Sequence, residues 1–149
     1  MPEALNRDFS SHYQRQFSDI YITMIRTGII EGAGFTGGEL IRLLLNHPDV
    51  HLIFITGRGN SGQYIHEVHR GLYGETDLQF AEEPELDKID LLFLCTDAEE
   101  SRQFMQSHEI PERLKIIDFS REFRLKSEGD EFIYGLPELN RRAICKSRF

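Results

Sequence analysis

Residues Gly28 to Leu40 read GIIEGAGFTGGEL, and this stretch decides the fold of the chain. An apolar strand leads into Gly32, Gly34 and Gly37, which match the pattern G-x-G-x-x-G and open a helix. Glycine permits a tight turn close to a phosphate, and the helix N-terminus offers free N–H groups and a positive dipole end. The context favours a dinucleotide-binding turn. The alternative is an ordinary glycine-rich connection between a strand and a helix.

Short apolar runs alternate with helical patterns along the rest of the chain, as they do in βαβ units. Leu40, Leu43 and Leu44 are spaced to form the buried face of the first helix. Strands are predicted at Ile25 to Ile30, His51 to Thr56, Asp90 to Cys95 and Lys115 to Phe119, and helices at about Phe35 to Asn46, Asp97 to His108 and Glu138 to Ile144. The fold class is therefore α/β: a Rossmann-type, mostly parallel sheet with helices on both faces and ligands at the carboxyl ends of the strands.

The bulk composition limits the classes of partner. The chain has 149 residues, 17 basic and 25 acidic, for a net charge of −8, so nucleic acid and anionic membranes are poor candidates. We read residues 1–23 as a polar N-terminal extension and 24–149 as one domain. That extension lacks the apolar core of a secretory signal, and two cysteines make no disulfide framework, so a cytoplasmic location is expected.

The end of the second strand indicates which dinucleotide is bound. A chain that binds NAD usually carries Asp or Glu there, to bond the ribose 2′-hydroxyl. This chain instead reads Thr56-Gly57-Arg58. A guanidinium suits a 2′-phosphate, so Arg58 favours NADP. The alternative is that Arg58 is a solvated loop residue.

Several motifs together resemble the N-acetyl-γ-glutamyl-phosphate reductase family of arginine biosynthesis. They are Gly34-Phe35-Thr36-Gly37-Gly38-Glu39-Leu40, Arg58 with Asn60-Ser61-Gly62, Gly71-Leu72-Tyr73-Gly74, Asp118-Phe119-Ser120 with Arg124, and Tyr134-Gly135-Leu136-Pro137-Glu138-Leu139-Asn140-Arg141. The resemblance implies an NADP-binding Rossmann-type domain followed by a substrate and dimerisation domain, and we expect this chain to hold the first domain and to be truncated before the second. In the family, a cysteine attacks an acyl phosphate to give a thioester, and hydride from NADPH releases the semialdehyde.

The motif and the resemblance together assign the site. The residues expected to bind cofactor are Gly32, Gly34, Phe35, Thr36, Gly37, Arg58, Ser61, Thr96 and Ser120. Arg124 is the candidate for a substrate carboxylate or phosphate, with a structural ion pair as the equal alternative. Asp118 and Ser120 either order their loop through local hydrogen bonds or place Ser120 against the cofactor.

The sequence departs from the family pattern in three places. The family nucleophile lies in Asn-Pro-Gly-Cys, which has no match before Phe149, so we expect this chain alone to be inactive. Cys145 precedes the nucleophile's position, and Cys95 follows an apolar run that favours packing. Glu31 replaces a usual glycine and should weaken NADP binding by repelling the pyrophosphate. Ala98-Glu99 stand where the family often has His-Gly.

Two further functions remain open at this point. The chain could be a non-catalytic NADP(H)-binding or sensing module, or a remnant that keeps the fold and acts only through protein interactions. His66 and His69 are spaced for a metal on a helix, but no third ligand follows by pattern, so we expect surface or substrate-side loop histidines and no metal site. Asp97, with Glu100 three residues later, predicts a capping box at the start of the helix after Cys95.

Overall fold

The computed structural model describes residues 24–124 and 131–149, and the predicted N-terminal extension lies outside these residues. Its four strands are β1 (Ile25–Ile30), β2 (Val50–Ile55), β3 (Leu91–Leu94) and β4 (Lys115–Asp118). They form one sheet in the order β2-β1-β3-β4, and every pair is parallel. The predicted strands are confirmed with shifts of one residue at their ends. The first strand is central because both of its edges pair with later strands.

Helices connect or follow the strands. They are α1 (Phe35–Leu45), α2 (Ile65–Val68), α3 (Ala98–Ser107) and α4 (Pro137–Ile144). The predicted long helices are confirmed, and Pro137 occupies the first turn of α4, where its missing N–H costs nothing. The four-residue α2 was not predicted, because a helix this short spans too few turns to show periodicity. Within the described ranges, no helix is both long and apolar enough to cross a bilayer.

Two apolar clusters cover the two faces of the sheet. One holds residues of α1 together with Ile29 of β1, and the other holds Phe104 of α3 together with Ile30 of β1. Ile29 and Ile30 are adjacent, and successive strand residues point to opposite faces. The α1 and α3 helices therefore pack on opposite faces, which confirms the predicted doubly covered sheet.

The buried face of α1 differs by one residue from the prediction. Leu40, Ile41 and Leu44 are buried, whereas Leu43 is 58% exposed. Both sets satisfy the helical spacing, so the sequence alone could not choose between them. Ile41 is fully buried and packs in the same cluster as Ile29. The way α1 packs on the sheet therefore determines that Ile41, and not Leu43, is buried.

The C-terminal segment runs beside the outer strand. The Ile116 N–H donates to the carbonyl of Arg148 over 3.1 Å, and the Ile133 N–H donates to that of Phe149 over 3.2 Å. The first bond covers part of the β4 edge, and the second joins two parts of the C-terminal segment. Between this segment and β4 opens a cavity of about 620 Å³, whose lining includes Asp118 and Ser120 at the carboxyl end of the strand.

Candidate functional site

The glycine turn after β1 brings α1 against the end of the sheet. The Gly32 N–H donates to the Thr56 carbonyl over 2.7 Å, which ties the turn to the end of β2. A Cβ built on Gly37 would lie 2.5 Å from the Gly32 Cα, closer than real Cβ contacts allow. Only glycine at position 37 lets the first turn of α1 approach the turn this closely. This is the contact that the glycine spacing predicts.

The N-terminus of α1 is open. Gly34 is the N-cap residue, and a Cβ there would meet nothing within 4 Å. Among the described residues no side chain caps this helix, and its first turn carries no acid. Phe35 is 98% exposed, and Thr36 is also exposed. The free N–H groups and the positive dipole end therefore face accessible space, which suits a phosphate.

The N-terminus of α3, in contrast, has both a side-chain cap and acidic residues in its first turn. The Asp97 carboxylate caps it by accepting from the Glu100 N–H over 2.9 Å, and Glu99 and Glu100 stand in its first turn. The predicted cap at Asp97 is confirmed. Since this helix end already holds negative charge, it does not suit an anion. The α1 end is thus the better phosphate site of the two.

Arg58 lies just beyond β2 and is held by two carboxylates. Its guanidinium donates to Glu100 in the first turn of α3, and its backbone N–H donates to the two Glu31 carboxylate oxygens over 3.1 and 3.3 Å. The bond to Glu100 raises the pKa of Arg58 above its ordinary value, and the nearby charge of Glu31 adds to the shift. Arg58 remains 74% exposed. It is therefore an ion-paired residue rather than a freely solvated one, and its guanidinium is accessible to a ligand.

Glu31 has a left-handed backbone, with φ of 59°. An L residue with a side chain is strained in this region, whereas glycine is not. This explains why a glycine suits the position. The Glu31 carboxylate points to the Arg58 N–H rather than freely into solvent, so it adds negative charge at the junction of the first two strands.

A hydrogen-bonded chain joins the ends of β3 and β4. The fully buried Ser101 hydroxyl donates to Asp118 over 2.7 Å. Since its single proton is used there, Ser101 accepts from the Thr96 hydroxyl, which lies 2.7 Å away. Ser120 donates to the other Asp118 oxygen over 2.5 Å and accepts from the Glu122 N–H. The Thr96 hydroxyl therefore donates its proton to Ser101 and can only accept a hydrogen bond from a ligand.

The two remaining predicted site residues, Ser61 and Arg124, follow the ends of β2 and β4. Ser61 is exposed in the loop between Gly59 and Gly62, both of which have positive φ. The Arg124 guanidinium donates to the carbonyls of Ser120 and Phe119 over 3.2 and 3.5 Å, and it lines the cavity beside β4. All the predicted residues therefore follow strand ends on the carboxyl side of the sheet.

The two cysteines occupy different environments. Cys95 follows β3 and packs against the core, and burial with the nearby Asp118 charge raises its pKa to about 12. The expectation of a packing role is borne out, because such a thiol holds its proton. Cys145 is exposed at the end of α4.

His66 and His69, which follow the glycine-rich loop, contact different carbonyl groups. His66 Nδ1 lies 3.2 Å from the Thr76 carbonyl, while His69 Nε2 lies 2.7 Å from the Gly32 carbonyl. His69 is half-buried and contacts the glycine turn, so of the two expected positions, the surface or a substrate-side loop, the surface position does not hold for it. Sequence reasoning also missed the partners Ser101 and Glu100. The sequence places both residues in the first turns of a helix, and there Glu100 was expected to cap the helix rather than to bind Arg58.

Comparisons with known proteins agree with this geometry. The NAD-binding domain model of semialdehyde dehydrogenases matches residues 26–147. The N-acetyl-gamma-glutamyl-phosphate reductase of Phocaeicola vulgatus is 61% identical over 125 residues, which are 84% of this chain and 39% of that protein. The same-named protein of Bacteroides thetaiotaomicron is 58% identical over the same shares. The chain thus spans about two fifths of the length of these relatives.

A solved structure supports the fold. The aspartate semialdehyde dehydrogenase with NADP from Candida albicans has a TM-score of 0.57 and 20% identity, over 68% of this chain and 31% of that one. At this identity the likeness concerns the architecture alone.

Proposed function

Because this chain belongs to the semialdehyde dehydrogenase family and contains its NAD-binding domain, we propose that it forms the coenzyme-binding portion of an NADP-dependent reductase. The reaction proposed for the whole enzyme converts N-acetyl-glutamyl 5-phosphate to the semialdehyde, the step named by its curated relatives. A cytoplasmic location and a homo-oligomeric full-length enzyme are parts of the same proposal.

One observation carries the cofactor assignment. The open N-terminus of α1 and the guanidinium of Arg58 both stand at the carboxyl edge of the sheet, beyond β1 and β2. A dinucleotide phosphorylated on its ribose needs two anion sites, one for the pyrophosphate and one for the 2′-phosphate. Gly32, Gly34 and Gly37 would supply the first site, and Arg58 the second.

The other residues take roles that their geometry permits. Phe35 and Thr36, both exposed, would extend the pyrophosphate site, and Ser61 would contact the adenosine half from the loop after β2. Thr96, fixed as an acceptor, would receive an N–H or O–H of the cofactor, and Ser120 would border the same region. NADPH, when bound, supplies hydride to an acyl group.

The substrate assignment concerns the neighbouring cavity. Arg124 lines it next to Asp118, so a carboxylate or phosphate of the substrate would approach the sheet there. Cys95 does not suit the nucleophile, because its pKa of about 12 leaves it protonated at neutral pH. We expect this chain alone to bind coenzyme without reducing the acyl phosphate.

Calorimetric titration of the purified chain with NADPH and NADH tests the proposal. We expect NADPH to bind at least tenfold more tightly, because only its 2′-phosphate engages Arg58. Gly37→Ala should abolish binding by forcing α1 away from Gly32, while Gly71→Ala, whose Cβ meets open space, should leave it unchanged. Circular dichroism checks that each variant is folded.

The outcomes separate the candidate functions. If the folded chain binds neither nucleotide, the coenzyme assignment fails and a role through protein interactions is favoured. If it binds NADPH and also turns over N-acetyl-glutamyl phosphate, the expected inactivity of this chain is wrong.

A further inference from the structure

His69 contacts the glycine turn from a distant part of the sequence. Its Nε2 lies 2.7 Å from the Gly32 carbonyl oxygen, 37 residues earlier in the chain. A carbonyl oxygen only accepts, so Nε2 must carry the proton and donate it. The bond therefore acts on the backbone of the first glycine of the motif.

A second glycine makes room for this contact. A Cβ built on Gly38 would lie 2.6 Å from ring atoms of His69, closer than real Cβ contacts allow. Glycine is unfavourable inside a helix relative to alanine. The two adjacent glycines of α1 thus have separate roles, since Gly37 admits the Gly32 backbone and Gly38 admits the imidazole.

The imidazole is held by its own surroundings. The His69 N–H donates to the Ile65 carbonyl over 2.9 Å, and the Leu72 N–H donates to the His69 carbonyl over 2.8 Å. The ring also lies near Phe80, with 6.5 Å between the ring centroids. The backbone of His69 is therefore fixed between α2 and the following 3₁₀ turn, Arg70–Leu72, and its ring approaches Gly32 from a defined direction.

Holding the Gly32 oxygen orients the rest of the same peptide unit. The peptide is planar and trans, so the N–H of Ala33 points away from the carbonyl that His69 holds. The turn residues are then fixed before any ligand arrives. Such pre-organisation lowers the ordering cost of binding.

From these contacts we infer that His69 is a positioning residue for the pyrophosphate of the dinucleotide. It acts through the Gly32 carbonyl and does not touch the ligand. This inference rests on the proposed coenzyme function, and it adds a residue to which the glycine motif gives no clue. The pyrophosphate is common to NADPH and NADH, so His69 should affect both equally, whereas Arg58 should affect only NADPH.

A matched pair of variants tests the role. Gln at position 69 keeps an N–H donor at a similar reach, while Met has similar length and no donor. We expect His69→Met to weaken NADPH and NADH by the same factor, about three- to tenfold, and His69→Gln to stay within about twofold of the wild type. Binding of adenosine 2′-monophosphate, which lacks a pyrophosphate, should be unchanged in both variants.

The readout distinguishes positioning from general support of the fold. If Met and Gln lower affinity alike, or if adenosine 2′-monophosphate is weakened as much as NADPH, the positioning role is wrong. If both variants bind NADPH as the wild type does, the inference fails while the coenzyme function stands. If the wild type binds no nucleotide, the proposed function fails first.

A double-mutant cycle supplies a second test should His69→Met fold poorly. Gly38→Ala should weaken NADPH in the wild type, because the new Cβ displaces the imidazole. In a His69→Ser background the ring is absent, so the same substitution should cost little affinity and should raise thermal stability through its helix propensity. Equal losses of affinity in both backgrounds would contradict the proposed contact.

Discussion

Arg58, beyond the end of β2, forms an ion pair with Glu100 in the first turn of α3. The pair occupies the guanidinium that we assign to the 2′-phosphate, so a bound NADP must share Arg58 with a carboxylate. We therefore expect Glu100 to affect cofactor choice, although it belongs to no cofactor motif.

Replacing Glu100 should improve NADPH binding. In Glu100→Gln the carboxylate no longer repels the 2′-phosphate or competes for Arg58, so we expect NADPH affinity to rise about three- to tenfold while NADH affinity stays constant. Calorimetry at low and high salt measures both, and the gain should shrink with salt. Glu99→Gln is the matched control, since it removes the same charge from the same turn but its carboxylate binds Gln103. An equal gain in the control would refute the competition.

Glu31 should also oppose the cofactor, and its charge can be separated from its backbone strain. Glu31→Gln removes the charge but keeps the side chain at positive φ, whereas Glu31→Gly removes both. Because repulsion of the pyrophosphate is electrostatic, we expect both variants to bind NADPH more tightly, by about tenfold. Titration calorimetry checks this, and an unchanged dissociation constant in both variants would show that Glu31 does not act on the pyrophosphate.

The buried serine of α3 should matter for stability more than its size suggests. Ser101→Ala leaves Asp118 and Thr96 without their shared partner, so we expect a loss of about 1–3 kcal/mol in the free energy of unfolding. Ser107→Ala, on an exposed position of the same helix, is the control and should change stability by less than about 0.5 kcal/mol. Urea denaturation compares the two, and equal midpoints would argue against the network.

The two thiols should differ in reactivity. With a pKa of about 12, roughly one Cys95 in ten thousand is a thiolate at pH 8, whereas Cys145 is exposed. We expect iodoacetamide at pH 8 to label Cys145 alone, as read by mass spectrometry of peptides. Because the folded pKa of Cys95 is raised, its contribution to stability is present below about pH 9 and is lost as the pH rises towards 12. Rapid labelling of Cys95 in the native protein would contradict this environment.

Local patterns were enough to predict the sheet and the glycine turn. The strand before Gly32 ends in the apolar residues Ile29 and Ile30, and the glycine spacing specifies the close approach of Gly37, so both follow from short stretches of sequence. Local patterns did not determine the buried face of α1, because Leu43 and Ile41 both fit a helical stripe and only the packing of α1 against the sheet distinguishes them.

Contacts between distant segments could not be predicted in this way. His69 reaches Gly32 across 37 residues, and Glu100 reaches Arg58 across 42. Glu100 fits a local capping pattern equally well, so the sequence favoured the wrong partner for its side chain. Such contacts depend on which loops meet at the sheet edge, and that is known only once the strand order is known.

The central claim is that Arg58 makes this domain select NADP, and its most direct test is the ratio of NADH to NADPH dissociation constants in the wild type and in Arg58→Ala. We predict that the ratio is at least tenfold in the wild type and falls to near one in the variant, through loss of NADPH affinity alone. Equal weakening of both nucleotides, or a ratio that survives the substitution, would contradict the claim.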